Sequence, residues 1–220
     1  MTFCKRLSVT TLMALGALTV LSGCKTKGEI VIDEGVGISA IRSRCPAVGI
    51  PDYTGDVTLF ATPGNRDASN IDVVAAMTNV RSECSDSADK IFSKVSFDVL
   101  ASRMDTRGAR QVNIPFFVSV LRGGSAVVTK RVGSVMVNFA DGQSRVTASG
   151  QASAYVDASA ATLPQDIRDR ITRKRKAGDS DAAVDPLADP EVKAALARAS
   201  FELLVGFQLD ENQLSYNATR

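Results

Sequence analysis

The chain has 220 residues, with 26 lysines and arginines against 24 aspartates and glutamates, and it contains no histidine and no tryptophan. Without histidine there is no Ser-His-Asp or Cys-His catalysis and no imidazole metal site. Any chemistry would have to use carboxylates, lysine or tyrosine.

The first segment, "MTFCKR", carries Lys5 and Arg6 and no acid, and "LSVTTLMALGALTVLSG" follows it. A basic start, a short apolar run and small residues at its end describe a secretory leader. The run falls short of the about 20 strongly apolar residues of a membrane span, and Thr10, Thr11 and Gly16 interrupt it. A cleaved leader over residues 1–23 is therefore expected, not a retained helix.

The cut falls at "LSGC", residues 21–24, where an A-x-A site is missing. This stretch resembles the lipobox of bacterial lipoproteins, with Leu21 three places before Cys24 and small Ser22 and Gly23 between. The resemblance implies that the Cys24 thiol accepts a diacylglycerol, that the leader is removed, and that the new amino group is acylated. Two or more acyl chains, at about 0.8 kcal/mol per buried methylene, give a stable anchor where one would not. In many Gram-negative lipoproteins an aspartate after the cysteine retains the protein in the inner membrane. Lys25 stands there instead, so the resemblance implies an outer-membrane lipoprotein facing the periplasm.

Lys5 and Arg6 are the leader's only charges, so the mature chain holds 24 basic and 24 acidic residues. A neutral chain has no global electrostatic footprint for nucleic acid, and no such partner is expected. Residues 24–44 read as a charged, glycine-containing tether that spans at most about 65 Å; "EIVI" within it has strand character. About 175 residues remain, enough for one domain with a core of its own.

With Cys4 in the leader and Cys24 acylated, Cys45 and Cys84 are left as an even pair outside the cytosol. A disulfide is expected between them. By the chain-entropy estimate, a loop of about 40 residues makes it worth about 4 kcal/mol. No CxxC spacing supports a redox or metal role.

From residue 45 to 157 the hydrophobic period is two. "DVTLFA" (56–61) is a first strand and "PGNRDASN" a loop. "IDVVAAMTNVRSEC" (71–84) is a second strand whose two faces are both partly apolar. In "KIFSKVSFDVLASR" the residues Ile91, Val95, Phe97, Val99 and Ala101 share one face. In "QVNIPFFVSVL" Val112, Ile114, Phe116, Val118 and Val120 do the same, and Pro115 points to an edge strand or a bulge. "RGGS" and "DG" are turn signals around "AVVTKRVGSVMVNFA", and "QSRVTASGQASAYV" follows. Strands at this spacing predict an antiparallel β-sandwich of about seven strands over residues 45–217.

The period then changes. "TLPQDIRDRITRKRKAG" (162–178) reads as a helix with Leu163, Ile167 and Ile171 on one stripe and Gly178 at its end. "DPEVKAALARA" (189–199) begins with Asp189 as N-cap and Pro190 at the first helical position. Its buried stripe is Val192, Ala195, Leu196 and Ala199. These two helices form an insertion at about 162–199. "SFELLVGFQL" is the last strand, and Asp210 to Gln213 has capping-box spacing. "CPAVGI", "PFFVSV" and "ELLVGFQLDENQLSYN" resemble segments of uncharacterised envelope lipoproteins of Gram-negative bacteria. The likeness covers most of residues 45–217 and carries no activity.

Three motifs bear on chemistry. "SADK" (Ser87–Lys90) matches S-x-x-K but lies in a turn without the companion motifs of acyl-transfer enzymes. "DSDAAVDPLADPE" (179–191) offers five carboxylates, yet has Val184 and Pro190 where a calcium loop needs glycine and glutamate. "RDRITRKRK" concentrates Arg168, Arg170, Arg173, Lys174, Arg175 and Lys176, a candidate surface for an anionic ligand or acidic partner. The competing reading is a helix end that complements its own dipole and the acidic loop after it. A hydrolase acting on cell-wall glycan would need two carboxylates about 5–10 Å apart in a cleft, and no acid is marked for that role. The sequence thus predicts a membrane-anchored, non-catalytic structural or interaction module, with no cofactor, no metal and an envelope protein as a candidate partner.

Overall fold

A computed structural model describes residues 40–220. The leader, Cys24, "EIVI" and most of the tether lie outside the described residues. Among the described residues eight strands form two four-stranded sheets that pack face to face as a β-sandwich. One sheet has the order β1 (Ala47–Gly49), β8 (Phe201–Phe207), β5 (Arg110–Arg122), β6 (Ala126–Phe139). The other has the order β2 (Asp56–Phe60), β3 (Ile71–Asp86), β4 (Lys90–Arg103), β7 (Arg145–Asp157). All pairings are antiparallel except β1 with β8. Helices α1 (Gln165–Thr172) and α2 (Pro190–Ala199) enter before β8, and α3 (Glu211–Thr219) follows it.

The inward faces are those the period-two pattern assigns. Ile91, Val95, Phe97, Val99 and Ala101 of β4 are buried, as are Val112, Ile114, Phe116, Val118 and Val120 of β5. At the centre two aromatic rings meet edge to face, Phe97 and Phe116, with centroids 5.0 Å apart. Each ring lies over a glycine on the neighbouring strand: Phe97 is in register with Gly150 and Phe116 with Gly133. A Cβ on Gly150 would stand 2.4 Å from the Phe97 ring, and one on Gly133 2.8 Å from Phe116. These glycines are required by space, because the ring occupies the volume their side chains would fill.

Strand β3 explains its own two-sided apolar pattern. Val73, Ala75 and Met77 face inward. The register then shifts between Thr78 and Arg81, at Asn79 with φ 54°. One extra residue reverses the parity, so Val80 packs on the core in the phase opposite to Met77. The Asn79 amide donates to Asp98 Oδ2 at 2.7 Å on the adjacent strand and fixes the bulge.

Pro115 is neither on an edge strand nor at a bulge. β5 lies between β8 and β6. Its pairing with β8 begins one residue later, at Phe116, and the Pro115 carbonyl accepts from Gln208 just past the end of β8. Proline has no N–H to return to Gln208, and the β5–β8 ladder begins only at the next residue, so the loss is confined to the end of the pairing.

Two further devices close the sandwich. The disulfide joins Cys45, two residues before β1, to Cys84 of β3, with Cα atoms 6.1 Å apart, and so bridges the two sheets. At one end of the sandwich Arg103, 3% exposed, donates to four loop carbonyls: Gln143, Gly108, Thr106 and Ala140, each at 2.8–2.9 Å. Its guanidinium also lies 5.1 Å from the Phe139 ring centroid. Arg103→Met is expected to cost about 3 kcal/mol, since it leaves these acceptors without their charged donor. Arg103→Lys should recover little of that, because three ammonium donors cannot span four carbonyls set around a planar fork. Urea unfolding of the three proteins measures this. A loss below about 1 kcal/mol for Met would mean that water replaces the arginine freely.

Candidate functional site

The helical insertion has its own small core. Ile167 and Ile171 of α1 pack with Val192 and Ala195 of α2, and Leu163, Leu187 and Leu196 close over them. Asp189 caps α2, accepting from the Glu191 and Val192 amides, with Pro190 at the first turn. Asp210 and Gln213 make the reciprocal capping box of α3.

α1 stops at Thr172, not at Gly178. The apolar stripe ends with Ile171, so nothing beyond it holds a further turn against α2. Gly178 takes φ 100° within a turn instead. Arg173, Lys174, Arg175 and Lys176 therefore lie past the helix, and the predicted basic helix 168–176 is a helix only for its first part.

The chain folds these cations back onto the acids that follow them. Arg170 pairs with Asp189 at 2.6 Å and Glu191 at 2.8 Å. Arg173 pairs with Asp181. Arg175, only 5% exposed, reaches Asp181 at 3.3 Å and the Arg170 carbonyl at 3.2 Å. Together Arg170, Arg173, Arg175, Asp169, Asp181 and Asp189 line a cavity of about 360 Å³. Three cations facing three carboxylates leave it no net field for an anion. The acidic loop is spent likewise: Asp179 accepts from the Lys176 amide and Asp185 from the Leu187 amide.

The titration shifts agree. Two backbone amides, from Glu191 and Val192, hold the Asp189 carboxyl below the usual carboxylate range, helped by Arg170. At Asp181 desolvation works against ionisation, but Arg175 and Arg173 outweigh it and the net shift is downward. A glycosidase acid needs a shift in the other direction. Among the described residues no three His, Cys, Asp or Glu side chains gather as a metal-binding group.

Ser87 of the S-x-x-K match hydrogen-bonds with its hydroxyl to the Lys90 carbonyl, closing the β3–β4 turn. It is a turn former. Asn217, in the triplet "NAT", is 7% exposed and donates to the Tyr53 and Asp56 carbonyls at 2.8 Å, which docks α3 on β2.

The residues that the sequence did not mark lie where the tether meets the domain. Folded contacts begin by Ala40, ahead of the expected start at Cys45. The Ala40 N–H donates to the Ile171 carbonyl at 3.1 Å. Arg42 Nη2 donates to the Ala199 carbonyl at 3.0 Å and to Ser200 Oγ at 2.9 Å, tying the end of α2. Arg44 makes a two-pronged pair with Asp86, at 2.9 and 2.6 Å, beside the disulfide. "AIRSR" has no apolar period and no motif, so only the fold reveals this strap. No family model, curated protein or solved structure matches the chain.

Proposed function

We propose that this chain is an envelope lipoprotein. Cys24 carries the lipid, the segment after it is a tether, and the sandwich is a structural or interaction module outside the cytosol. The observation that carries the reading is Leu21-Ser22-Gly23-Cys24 at the end of a basic-then-apolar leader. The inter-sheet disulfide supports it, because such a bond persists in an oxidising compartment. Lys25 in place of aspartate favours the outer membrane, with the domain facing the periplasm. No reaction is assigned: Asp181, Asp185, Asp189 and Glu191 of the helical insertion serve as caps and ion-pair partners.

Cell fractionation tests the anchor. The wild-type protein should sediment with membranes through a high-salt wash, and Cys24→Ala should move it to the soluble periplasmic fraction with its thermal melting unchanged. Retention of the variant in the washed pellet would rule out the lipid as what holds the protein there.

A further inference from the structure

The strap and α1 enclose a half-open cavity of about 320 Å³ that differs in charge from the balanced one on the far side of α1. Arg42, Arg44 and Arg168 line it, and Asp86 is the acid among its lining residues. Asp86 is engaged by Arg44 through both oxygens. Among the described residues neither Arg42 nor Arg168 has a carboxylate partner. Arg42 uses Nη2 on Ala199 and Ser200, and Arg168 uses Nη2 on Gln165 Oε1 at 3.1 Å. A guanidinium has five N–H donors, so each keeps donors without an acceptor among the described residues. Burial pulls the Arg42 pKa below its ordinary value. A half-buried cation without a counter-charge is unfavourable unless an anion joins it.

The remaining wall is mixed: Ala161, Leu163 and Ile171 are apolar, Ser43, Thr162 and Thr172 add hydroxyls, and Ile41 stands at the rim 98% exposed. We propose that this cavity binds a phosphate group between Arg42 and Arg168, with hydrocarbon next to the phosphate lying on Leu163 and Ile171. Planar guanidinium groups match phosphate oxygens in pairs. Phosphate is chosen over carboxylate because the lipid-anchor reading, on which this choice rests, tethers this end of the domain to a phospholipid membrane. The sequence cluster "RDRITRKRK" thereby divides. Arg170, Arg173 and Arg175 are matched internally, and Arg168 faces the ligand.

Calorimetric titration of the full-length protein in dodecyl maltoside, with inorganic phosphate and with butyl phosphate, tests this. Butyl phosphate should bind, and Arg42→Gln and Arg168→Gln should each weaken it by about tenfold, while Arg173→Gln leaves it unchanged. Arg168 is exposed on a helix surface, so its variant reports on binding even if Arg42→Gln loosens the strap. Tighter binding of butyl than of inorganic phosphate identifies a lipid headgroup as the source. Equal binding identifies free phosphate. Absence of binding by either, or wild-type affinity in both arginine variants, overturns the proposal. The titration does not involve Cys24, so that failure would leave the anchor reading intact.

Discussion

Phe97→Ala is expected to destabilise the domain by about 4 kcal/mol, and adding Gly150→Val to it is expected to recover part of that loss. The ring is fully enclosed, 2% exposed, and touches Phe116 from the opposite sheet. Its removal takes away apolar burial and leaves a cavity between strands that are already paired on both sides. The same volume governs Gly150. Alone, Gly150→Val drives its Cβ into the Phe97 ring and against Val135, and overpacking of this kind costs about 1–3 kcal/mol. In the Phe97→Ala background that clash is gone and the valine fills the hole. The two substitutions should therefore couple by at least about 1 kcal/mol in a double-mutant cycle. Urea midpoints of the four proteins read this directly. Additive losses would mean that the ring does not lie over Gly150.

Replacing both cysteines, Cys45→Ala with Cys84→Ala, is expected to cost about 4 kcal/mol by the chain-entropy estimate for the 39-residue separation. The bond has an additional role beyond loop closure. β1 has three residues and pairs only along β8, so little else holds it. The disulfide ties it across to the other sheet, and the Arg44–Asp86 pair lies alongside. Without the bond, the strap and β1 should open before the sandwich does. Hydrogen exchange should show that as early loss of protection at β1, while β4 and β5 keep theirs. Wild-type stability after removal of both cysteines would show that the native protein does not rely on the bond.

The inward faces of β4, β5 and β8 are legible in the sequence because each strand is half buried and its period is two. The helix caps at Asp189 and Asp210 are legible because capping is local. β1 escapes such reading: three residues are too few to show a period, and their pairing with β8 joins residue 47 to residue 202. The Asn79 bulge appears in the sequence only as an ambiguous strand, since an inserted residue adds the second parity to the first. The early end of α1 depends on tertiary contact. "TRKRK" has ordinary helix propensity, but past Ile171 it has no apolar side chain to bury, and its arginines gain more from Asp181 than from another turn. The Arg42–Arg168 cavity has no local signal, because it forms only when a strap without pattern crosses a helix 126 positions away.

Intact-mass measurement of the protein extracted from membranes decides whether Cys24 carries lipid. The expected species begins at Cys24 and carries a diacylglyceryl group on sulfur and a fatty acyl group on its amino nitrogen. A mature chain with an unmodified amino terminus, or one still joined to residues 1–23, would contradict it.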